Sequence, residues 1–403
     1  MNSIIKDKRL VLGVSGGIAA YKAVELLRLL TLSGASVRVI MTQSAKWFVG
    51  PTTFEALSGR PVFSEMFEEG GKGSIRHIDW AQEADAAIVA PATANIVGKL
   101  ANGIADDALS TFMLAVTAAK IICPAMNTHM YEHPAVQRNL AQLAADGCTL
   151  VTPDAGNLAC GTIGPGRLPD PAVILDRVVH RLTPKDLSGR TVLVTAGPTR
   201  EYFDPVRFIS NPSSGKMGYA VARAAEHRGA KVVLVSGPVH EPPPLNVETV
   251  QVQTAEEMAE AVYRYAAEAD IVVKAAAVGD YRPRTREEQK IKKTGAALSV
   301  DLERTEDILL QLGRTKPKGQ VLVGFAAETE HLEVHAAEKL QAKNLDLIAA
   351  NLLGGPDAGF GTDTNRLTLF LAGAAKEALP LMEKPALAHV LLDRVVKILK
   401  EKE

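Results

Sequence analysis

"LVLGVSGGIAAYK" (Leu10–Lys22) sets two structural periods back to back. Leu10 to Val14 is a continuous apolar run, the composition of a strand buried on both faces. Ser15-Gly16-Gly17 interrupts it, after which Ile18, Tyr21, Val24 and Leu27 follow a helical pattern. A strand that turns at glycine into a helix leaves bare backbone N–H groups beside a positive helix end, which is a place for an anion. The spacing is neither G-x-G-x-x-G nor a loop closed by G-K-[ST]. The turn therefore has the form of a phosphate cradle without a nucleotide fingerprint, and a tight βα turn with no ligand is the alternative.

The alternation continues outward. Strands are expected at Arg9–Val14, Ser36–Met41, Ala86–Ala90, Lys120–Cys123 and Cys148–Thr152, with helical patterns between them, including Pro134–Ala145. Strands separated by helices imply a parallel sheet covered on both faces. "HRLTPKDLSGRT" (His180–Thr191) breaks the pattern and reads as an interdomain linker. This gives a first domain over residues 1–182, a linker over 183–189 and a second domain over 190–403. In the second domain "TVLVTAGPT" runs a strand into a Gly-Pro turn, and "GYAVARAAEHRGAKVVLVSG" is a helix, a glycine stop and a strand. Further strands are expected at Ile271–Lys274, Val321–Phe325, Leu347–Asn351 and Arg366–Leu371, before a closing helix from about Pro385 to Lys400. Both halves read as α/β, built alike.

Composition excludes several classes. With 45 Lys+Arg against 46 Asp+Glu, the net charge is −1 and no bulk nucleic-acid or membrane surface is expected. No apolar run reaches the length of a bilayer span, and no secretory leader is read at the N-terminus. Three cysteines, Cys123, Cys148 and Cys160, form no paired framework. A reduced, cytoplasmic protein is expected.

Ligands of such sheets sit beyond the carboxyl ends of the strands. In the first half those ends deliver Ser15-Gly16-Gly17, then Thr42 and Ser44 in "MTQSA", then "VAPATAN", then Asn127 in "CPAMNTHMY". In "VAPATAN", Pro91 stops the strand, and Thr93 and Asn95 open a helix as capping-type residues. These are hydroxyls, amides and bare backbone with few charges, which suits a phosphate plus a heterocycle better than a metal. "HMYEH" (His129–His133) fits a zinc pattern, but Pro134 follows directly and breaks the shared helix face that two histidines need.

"VSGGIAAYK", "APATAN", "PAMNTHMY" and "ACGTIGPGR" resemble the flavin-dependent cysteine decarboxylases. Over nearly its whole length the chain resembles the family in which such a decarboxylase is fused to a phosphopantothenate–cysteine ligase. The resemblance implies two Rossmann-like doubly wound domains with mainly parallel sheets, a flavodoxin-like flavoprotein domain and a ligase domain. It implies FMN on Ser15, Gly16, Gly17, Ser44 and the turn Ala92-Thr93-Ala94-Asn95. His77 in "SIRHIDWA" is by itself a polar residue on an amphipathic helix; the resemblance implies a base that takes the substrate's thiol proton. Asn127 is either a helix cap or the neutral donor that holds the substrate carboxylate. Cys160 lies among Gly156, Gly161, Gly164 and Gly166 in a plausible flap, where the resemblance implies an acid for the enethiol; Cys123 and Cys148 read as core.

In the second half "TAGPTREYFDPVRFISNPSSGKMG" (Thr195–Gly218) is a long polar excursion ending at a helix start, with the strand and helix too far apart for Walker A. The ligase resemblance implies that Asn211 contacts the substrate and its acyl-nucleotide, and that Gly215–Gly218 shape the pocket. In "KAAAVGDYRP" the small Ala275, Ala276 and Ala277 let a base or ribose approach backbone, and Asp280 orients the nucleotide or a divalent ion. "EEQKIKKTG" carries Lys290, Lys292 and Lys293; as a bare charge run it is solvated surface, and by resemblance Lys290 stabilises the transition state. "TEDILLQL" resembles the family's nucleotide-binding turn (Glu306, Asp307, Ile308, Leu309), with Glu306 where proline is common and Gly279 where alanine is usual. Phe325 is expected at a strand end, where it stacks on a base, and Lys339 and Lys343, four apart, share a helix face that reaches a triphosphate.

The implied chemistry is CTP-dependent coupling of 4'-phosphopantothenate to cysteine through an acyl-cytidylate with Mg²⁺ (or Mn²⁺), then FMN-dependent decarboxylation to 4'-phosphopantetheine. The residues themselves leave ATP open. A flavin oxidoreductase or prenyltransferase with an unrelated fused domain is the competing enzyme class, disfavoured by Cys160 and the second-half lysines. A non-catalytic flavin-binding protein is the other alternative, disfavoured by His77, Asn127 and Cys160 together. The resemblance also implies a homo-oligomer, with trimeric contacts through the flavin domain and dimeric contacts through the ligase domain, a combination that can build a dodecamer.

Overall fold

The structure, a computed structural model, describes residues 4–66, 76–158, 161–292, 298–328, 330–352, 359, 361–373 and 376–402. The chain divides into two compact units, Met1–Thr183 and Pro184–Glu403.

The first unit is a five-stranded parallel sheet: β1 (Arg9–Val14), β2 (Ser36–Met41), β3 (Ala86–Ala92), β4 (Ala119–Pro124) and β5 (Thr149–Leu150), in the order β2-β1-β3-β4-β5. Its helices are α1 (Ala20–Leu32), α2 (Pro51–Ser58), α3 (Arg76–Glu83), α4 (Ala94–Ala101), α5 (Ala108–Ala115), α6 (Thr128–Tyr131), α7 (Pro134–Ala145) and α8 (Pro171–Leu182). Alternation along β1 explains the two-sided cover. Leu10, Leu12 and Val14 pack with α1 and α8 residues such as Leu26, Leu27 and Ile174, while Val11 faces the other way, onto Leu109 and Phe112 of α5. Each such fully buried side chain contributes about 1.5–3 kcal/mol. An antiparallel hairpin, β6 (Asp154–Asn157) and β7 (Ile163–Arg167), follows the sheet.

The second unit holds β8 (Thr191–Ala196), a hairpin of β9 (Arg200–Tyr202) and β10 (Phe208–Ser210), α9 (Lys216–His227), β11 (Lys231–Ser236), β12 (Glu248–Gln251), α10 (Ala255–Ala266) and β13 (Ile271–Lys274). After a second hairpin, β14 (Tyr281–Pro283) and β15 (Leu302–Arg304), come α11 (Ile308–Thr315), β16 (Val321–Glu328), α12 (Leu332–Ala342) and β17 (Leu347–Leu352). β18 (Thr364–Asn365), β19 (Thr368–Leu371), β20 (Lys376–Ala378), β21 (Met382–Glu383) and α13 (Lys384–Lys402) complete it. The main sheet runs β12-β11-β8-β13-β16-β17-β19-β20, parallel in every pairing except β17–β19 and β19–β20, so that β19 alone is reversed. Val192 and Val194 of β8 pack with α9 and α13, and Leu193 with α10.

The two halves are both α/β but are not wound in the same order. Counted along the chain, the first parallel sheet is ordered 2-1-3-4-5 and the second begins 3-2-1-4-5-6. The winding direction reverses between β1 and β3 in the first unit and between β8 and β13 in the second. Each reversal opens a crevice at the carboxyl ends of the flanking strands.

Several boundaries differ from the sequence reading. β3 does not stop before Pro91 but runs to Ala92; the register shifts between Val89 and Ala92, so proline sits where no ladder N–H is needed. β5 is shorter than Cys148–Thr152, and Cys148 lies just outside it, half-buried. The stretch read as a linker is packed: Leu187 is fully buried in the second core and Asp186 pairs with Arg228, so Pro184–Gly189 belongs to the second unit.

Candidate functional site

In the first unit the ends of β1, β2 and β3 surround a cavity of about 560 Å³. Its wall includes Ser15, Gly16, Thr42, Ser44, Thr93 and Asn95, joined by Ser64, Glu65, Ile96, Lys99 and Asp107. Ser15 is buried and stitches the strand ends together. Its Oγ donates to the Pro91 carbonyl at 2.7 Å and accepts from the Thr93 N–H at 3.0 Å, and its backbone N–H also reaches the Pro91 carbonyl. Thr93 sits at the N-cap of α4 without a side-chain cap bond; its hydroxyl lies 3.1 Å from Ser15 Oγ instead, and Asn95 is already inside the helix. Gly16 is dictated by space: a Cβ there would come within 2.3 Å of Ser44 Cβ. The turn thus presents bare backbone to the cavity.

The expected residues are not all in this wall. Among the described residues Gly17, Ala92, Ala94, His77 and Asn127 do not line it. His77 lies half-buried on α3. Asn127 caps α6, where its Oδ1 accepts from the His129 N–H at 2.9 Å, and its Nδ2 donates to Thr162 Oγ1 at 3.3 Å. Asn127 therefore caps a helix and also faces the β6–β7 hairpin. The hairpin seats through glycine, since a Cβ at Gly166 would lie 2.2 Å from the Met126 carbonyl oxygen. Cys160 lies outside the described residues, between Thr162 and the end of β6. Of the "HMYEH" histidines, His133 caps the separate helix α7, its Nδ1 accepting from the Ala135 N–H.

The cavity's charged corner is not legible in the sequence. Lys99 reaches Asp106 at 2.6 Å and Asp107 at 2.7 Å, and Asp107 also accepts from the Ser110 N–H as the cap of α5. Burial works against the Lys99 charge, but the two carboxylates outweigh it and raise its pKa. The lysine is locked in place rather than free to titrate.

In the second unit the crevice between β8 and β13 is woven from loop backbone. Asn211 Nδ2 donates to the carbonyls of Ala277 and Val278 at 3.1 and 3.2 Å. The Ala277 N–H bonds the Gly197 carbonyl, Thr199 Oγ1 accepts from the Gly279 N–H, and Thr305 Oγ1 donates to the Gly279 carbonyl at 2.6 Å. Gly218 lets α9 lie on β8, since a Cβ there would meet the Thr195 carbonyl oxygen at 2.8 Å. Lys216 is held by Asp363 at 2.6 Å.

Lys290 is exposed, and the chain beside it is fastened by two residues that sequence reading missed. Asp204, fully buried, accepts from the N–H groups of Val206, Arg207 and Ile291, and Arg207 Nη2 donates to the Ile291 carbonyl at 3.0 Å. Lys292 is also described; Lys293 is not.

Other expectations are corrected by packing. Phe325 is not at a strand end: β16 continues to Glu328, and Phe325 packs against the core beside Ala349. Ile308 and Leu309 are buried in the core, so only their backbone at the head of α11 can meet a ligand. Glu306 accepts from the Tyr263 hydroxyl at 2.7 Å. Lys339 and Lys343 are turned to different partners, Glu328 at 2.6 Å and Asp307 at 2.8 Å. Asp307 also caps α11 through the Leu310 N–H. Asp280 is exposed, and among the described residues no cluster of three metal-ligating side chains occurs. Lys274, not singled out in the sequence, sits here too. Burial pushes its ammonium down to about 8, Lys343 adds to the shift, and Asp307 and Asp280 oppose it.

No helix among the described residues is long and apolar enough to cross a membrane. Residues 2–183 match the Flavoprotein family, and residues 187–399 match the DNA/pantothenate metabolism flavoprotein C-terminal domain. The "Coenzyme A biosynthesis bifunctional protein CoaBC" of Bacillus subtilis (strain 168) is 49% identical over 402 residues, covering 99% of each chain. The protein of the same name from Escherichia coli (strain K12) is 46% identical over 402 residues, again 99% of each. Among solved structures, the C-terminal domain of a coenzyme A biosynthesis bifunctional protein CoaBC is 43% identical, covering 54% of this chain and 99% of that one, with a TM-score of 0.47.

Proposed function

This chain belongs to the family of coenzyme A biosynthesis bifunctional proteins, with a flavoprotein decarboxylase unit and a ligase unit, and from that premise we propose how its two crevices divide the chemistry. The observation that supports a division is that each unit has its own reversal of winding, with its own set of strand ends.

The second-unit crevice takes 4'-phosphopantothenate and CTP. A carboxylate is a poor acylating agent, so it first attacks the α-phosphate, giving the acyl-cytidylate and pyrophosphate. The amine of cysteine then displaces CMP to form the amide. Asn211 braces the Ala277–Val278 backbone against which the intermediate lies. Lys290 meets the negative charge that shifts to pyrophosphate, on a loop fixed by Asp204. Asp280 would offer a carboxylate to a Mg²⁺ (or Mn²⁺) ion arriving with the triphosphate, since magnesium is commonly held by one or two carboxylates plus substrate phosphates.

The first-unit cavity takes FMN. The residues fit it: bare backbone at Gly16 where a Cβ would collide with Ser44, hydroxyls at Ser15, Ser44 and Thr93, an amide at Asn95, and about 560 Å³ of space. When bound, the flavin supplies two-electron oxidation of the thiol-bearing carbon and the returning reduction. His77 takes the thiol proton, Asn127 holds the carboxylate through its amide N–H groups, and Cys160 returns a proton to the enethiol. A neutral donor suits Asn127, because a fixed cation would stabilise the carboxylate that must leave as carbon dioxide. The homo-oligomer implied by the resemblance is part of this reading, as is turnover in the cytoplasm.

The deciding experiment is coupled turnover. Purified protein given 4'-phosphopantothenate, cysteine, CTP and Mg²⁺ should release pyrophosphate and carbon dioxide and yield 4'-phosphopantetheine. Pyrophosphate release with no carbon dioxide, from protein that carries flavin, would overturn the decarboxylase assignment.

A further inference from the structure

Lys274 is the last residue of β13, the strand that forms one wall of the second-unit crevice. Its register places it between Thr195 of β8 and Gly324 of β16, a position without a side chain. Alternation decides its face. Val272 packs with the α10, α11 and α12 residues, so Lys274, two residues on, projects to the same side. There the head of α11 presents Asp307 and the end of α12 presents Lys343, ion-paired at 2.8 Å. The loop leaving β13 presents Asp280. Among the described residues these three are the charged groups that act on Lys274. Lys274 itself is half-buried and, among the described residues, has neither a hydrogen bond nor an ion pair. A half-buried lysine head without a partner is costly to keep charged.

We propose that Lys274 is a further cation of the nucleotide site, protonated when a nucleoside triphosphate brings its phosphate chain in beside Lys343. The inference rests on reading this crevice as the ligase's nucleotide site. In the free protein Lys343 repels the Lys274 ammonium while Asp307, already engaged, attracts it. A polyphosphate near both lysines replaces repulsion with attraction, so binding draws a proton from solvent. Burial, which depresses Lys274 to about 8, makes that uptake measurable at ordinary pH.

The test is calorimetry of MgCTP binding to the full chain at pH 8, in Tris and in HEPES, whose different ionisation enthalpies report proton exchange. Wild type should take up about half a proton per nucleotide at that pH. Lys274→Gln should lose this uptake and bind about tenfold more weakly, the cost of one charge-assisted contact. Lys274→Arg, charged throughout, should bind without uptake while keeping most of the affinity. Equal proton uptake by wild type and Lys274→Gln overturns the proposal while leaving the nucleotide reading intact. Failure of wild type to bind MgCTP overturns both. If Lys274→Gln melts far below wild type, the comparison of wild type with Lys274→Arg still decides, since equal uptake by those two refutes the role.

Discussion

The side-chain amide of Asn211 donates to the carbonyl oxygen of Ala277 at 3.1 Å, across 66 residues of sequence. It also reaches the Val278 carbonyl, so a single amide nitrogen fixes the backbone that follows β13. Asn211→Asp sets a carboxylate oxygen against those two carbonyl oxygens. Ligase turnover should fall by at least about 10²-fold, in line with the cost of misplacing reacting groups by an ångström. Decarboxylation of supplied phosphopantothenoylcysteine should continue at the wild-type rate. Ligase activity within twofold of wild type would show that this brace is not needed for turnover.

Gly16→Ala tests the flavin cradle. The added methyl has 2.3 Å between it and Ser44 Cβ, less than real Cβ contacts allow. The loop must shift, and purified protein should show much less flavin absorbance per chain. Circular dichroism should stay close to wild type, because the affected turn lies outside the helices and strands. A fully loaded variant would mean that the flavin sits elsewhere.

Lys290→Gln and Asp204→Asn should act on one half-reaction to different extents. Lys290→Gln removes charge where pyrophosphate leaves, and pyrophosphate release from CTP and 4'-phosphopantothenate without cysteine should fall about 10²–10³-fold in kcat. Asp204→Asn keeps the shape but weakens the grip on the Ile291 N–H and replaces one acceptor oxygen by a donor. It should cost about tenfold, mostly in kcat. Wild-type pyrophosphate release by Lys290→Gln would leave that lysine in a solvated charge run.

Cys160→Ser should still release carbon dioxide but stop before reduced product. A serine hydroxyl is a far weaker acid than a thiol, whose ordinary pKa is about 8.5. Mass spectrometry should find a decarboxylated species two hydrogens short of 4'-phosphopantetheine. Normal product at the wild-type rate would remove Cys160 from the reaction.

Acid should loosen the second unit through His389. Burial lowers this histidine to about 4, with His227 and Arg228 reinforcing the shift, while the unfolded chain titrates near 6.5. Between those values the unfolded state binds more protons, so stability is intact above about pH 6.5 and falls as pH drops toward 4. The loss approaches roughly 3 kcal/mol at the lower end. Thermal melts of wild type and His389→Gln over that window should converge as pH falls; parallel curves would show that another group controls the acid limb.

The strands are legible because β1, β8 and β13 are apolar runs with abrupt polar ends, and the strand ends name most of the first cavity's hydroxyls. What stays hidden depends on contacts distant in sequence. Asp204 looks like an ordinary turn residue until it meets Ile291, 87 positions later. Lys99 acquires its meaning from the partners that α5 brings up. Phe325 reads as a strand end because the residues after it, Ala326 and Ala327, carry no strand signal, yet β16 continues through them beside β17. Lys274 reads as the polar end of an apolar strand, and only the neighbouring helix ends show how poorly its charge is served.

The packing of Leu187 fixes where this polypeptide tolerates being severed. A fragment holding the second unit but starting after Gly189 would discard a fully buried leucine and the carboxylate that Asp186 sets on Arg228. It would leave an apolar hole and take one of the two carboxylates from the Arg228 guanidinium, which keeps only Asp393 of α13, and should aggregate on expression. A break between Thr183 and Pro184 removes no side chain from either core. Two separately translated fragments meeting at that peptide bond should each be recovered from the soluble fraction, the first yellow and the second colourless.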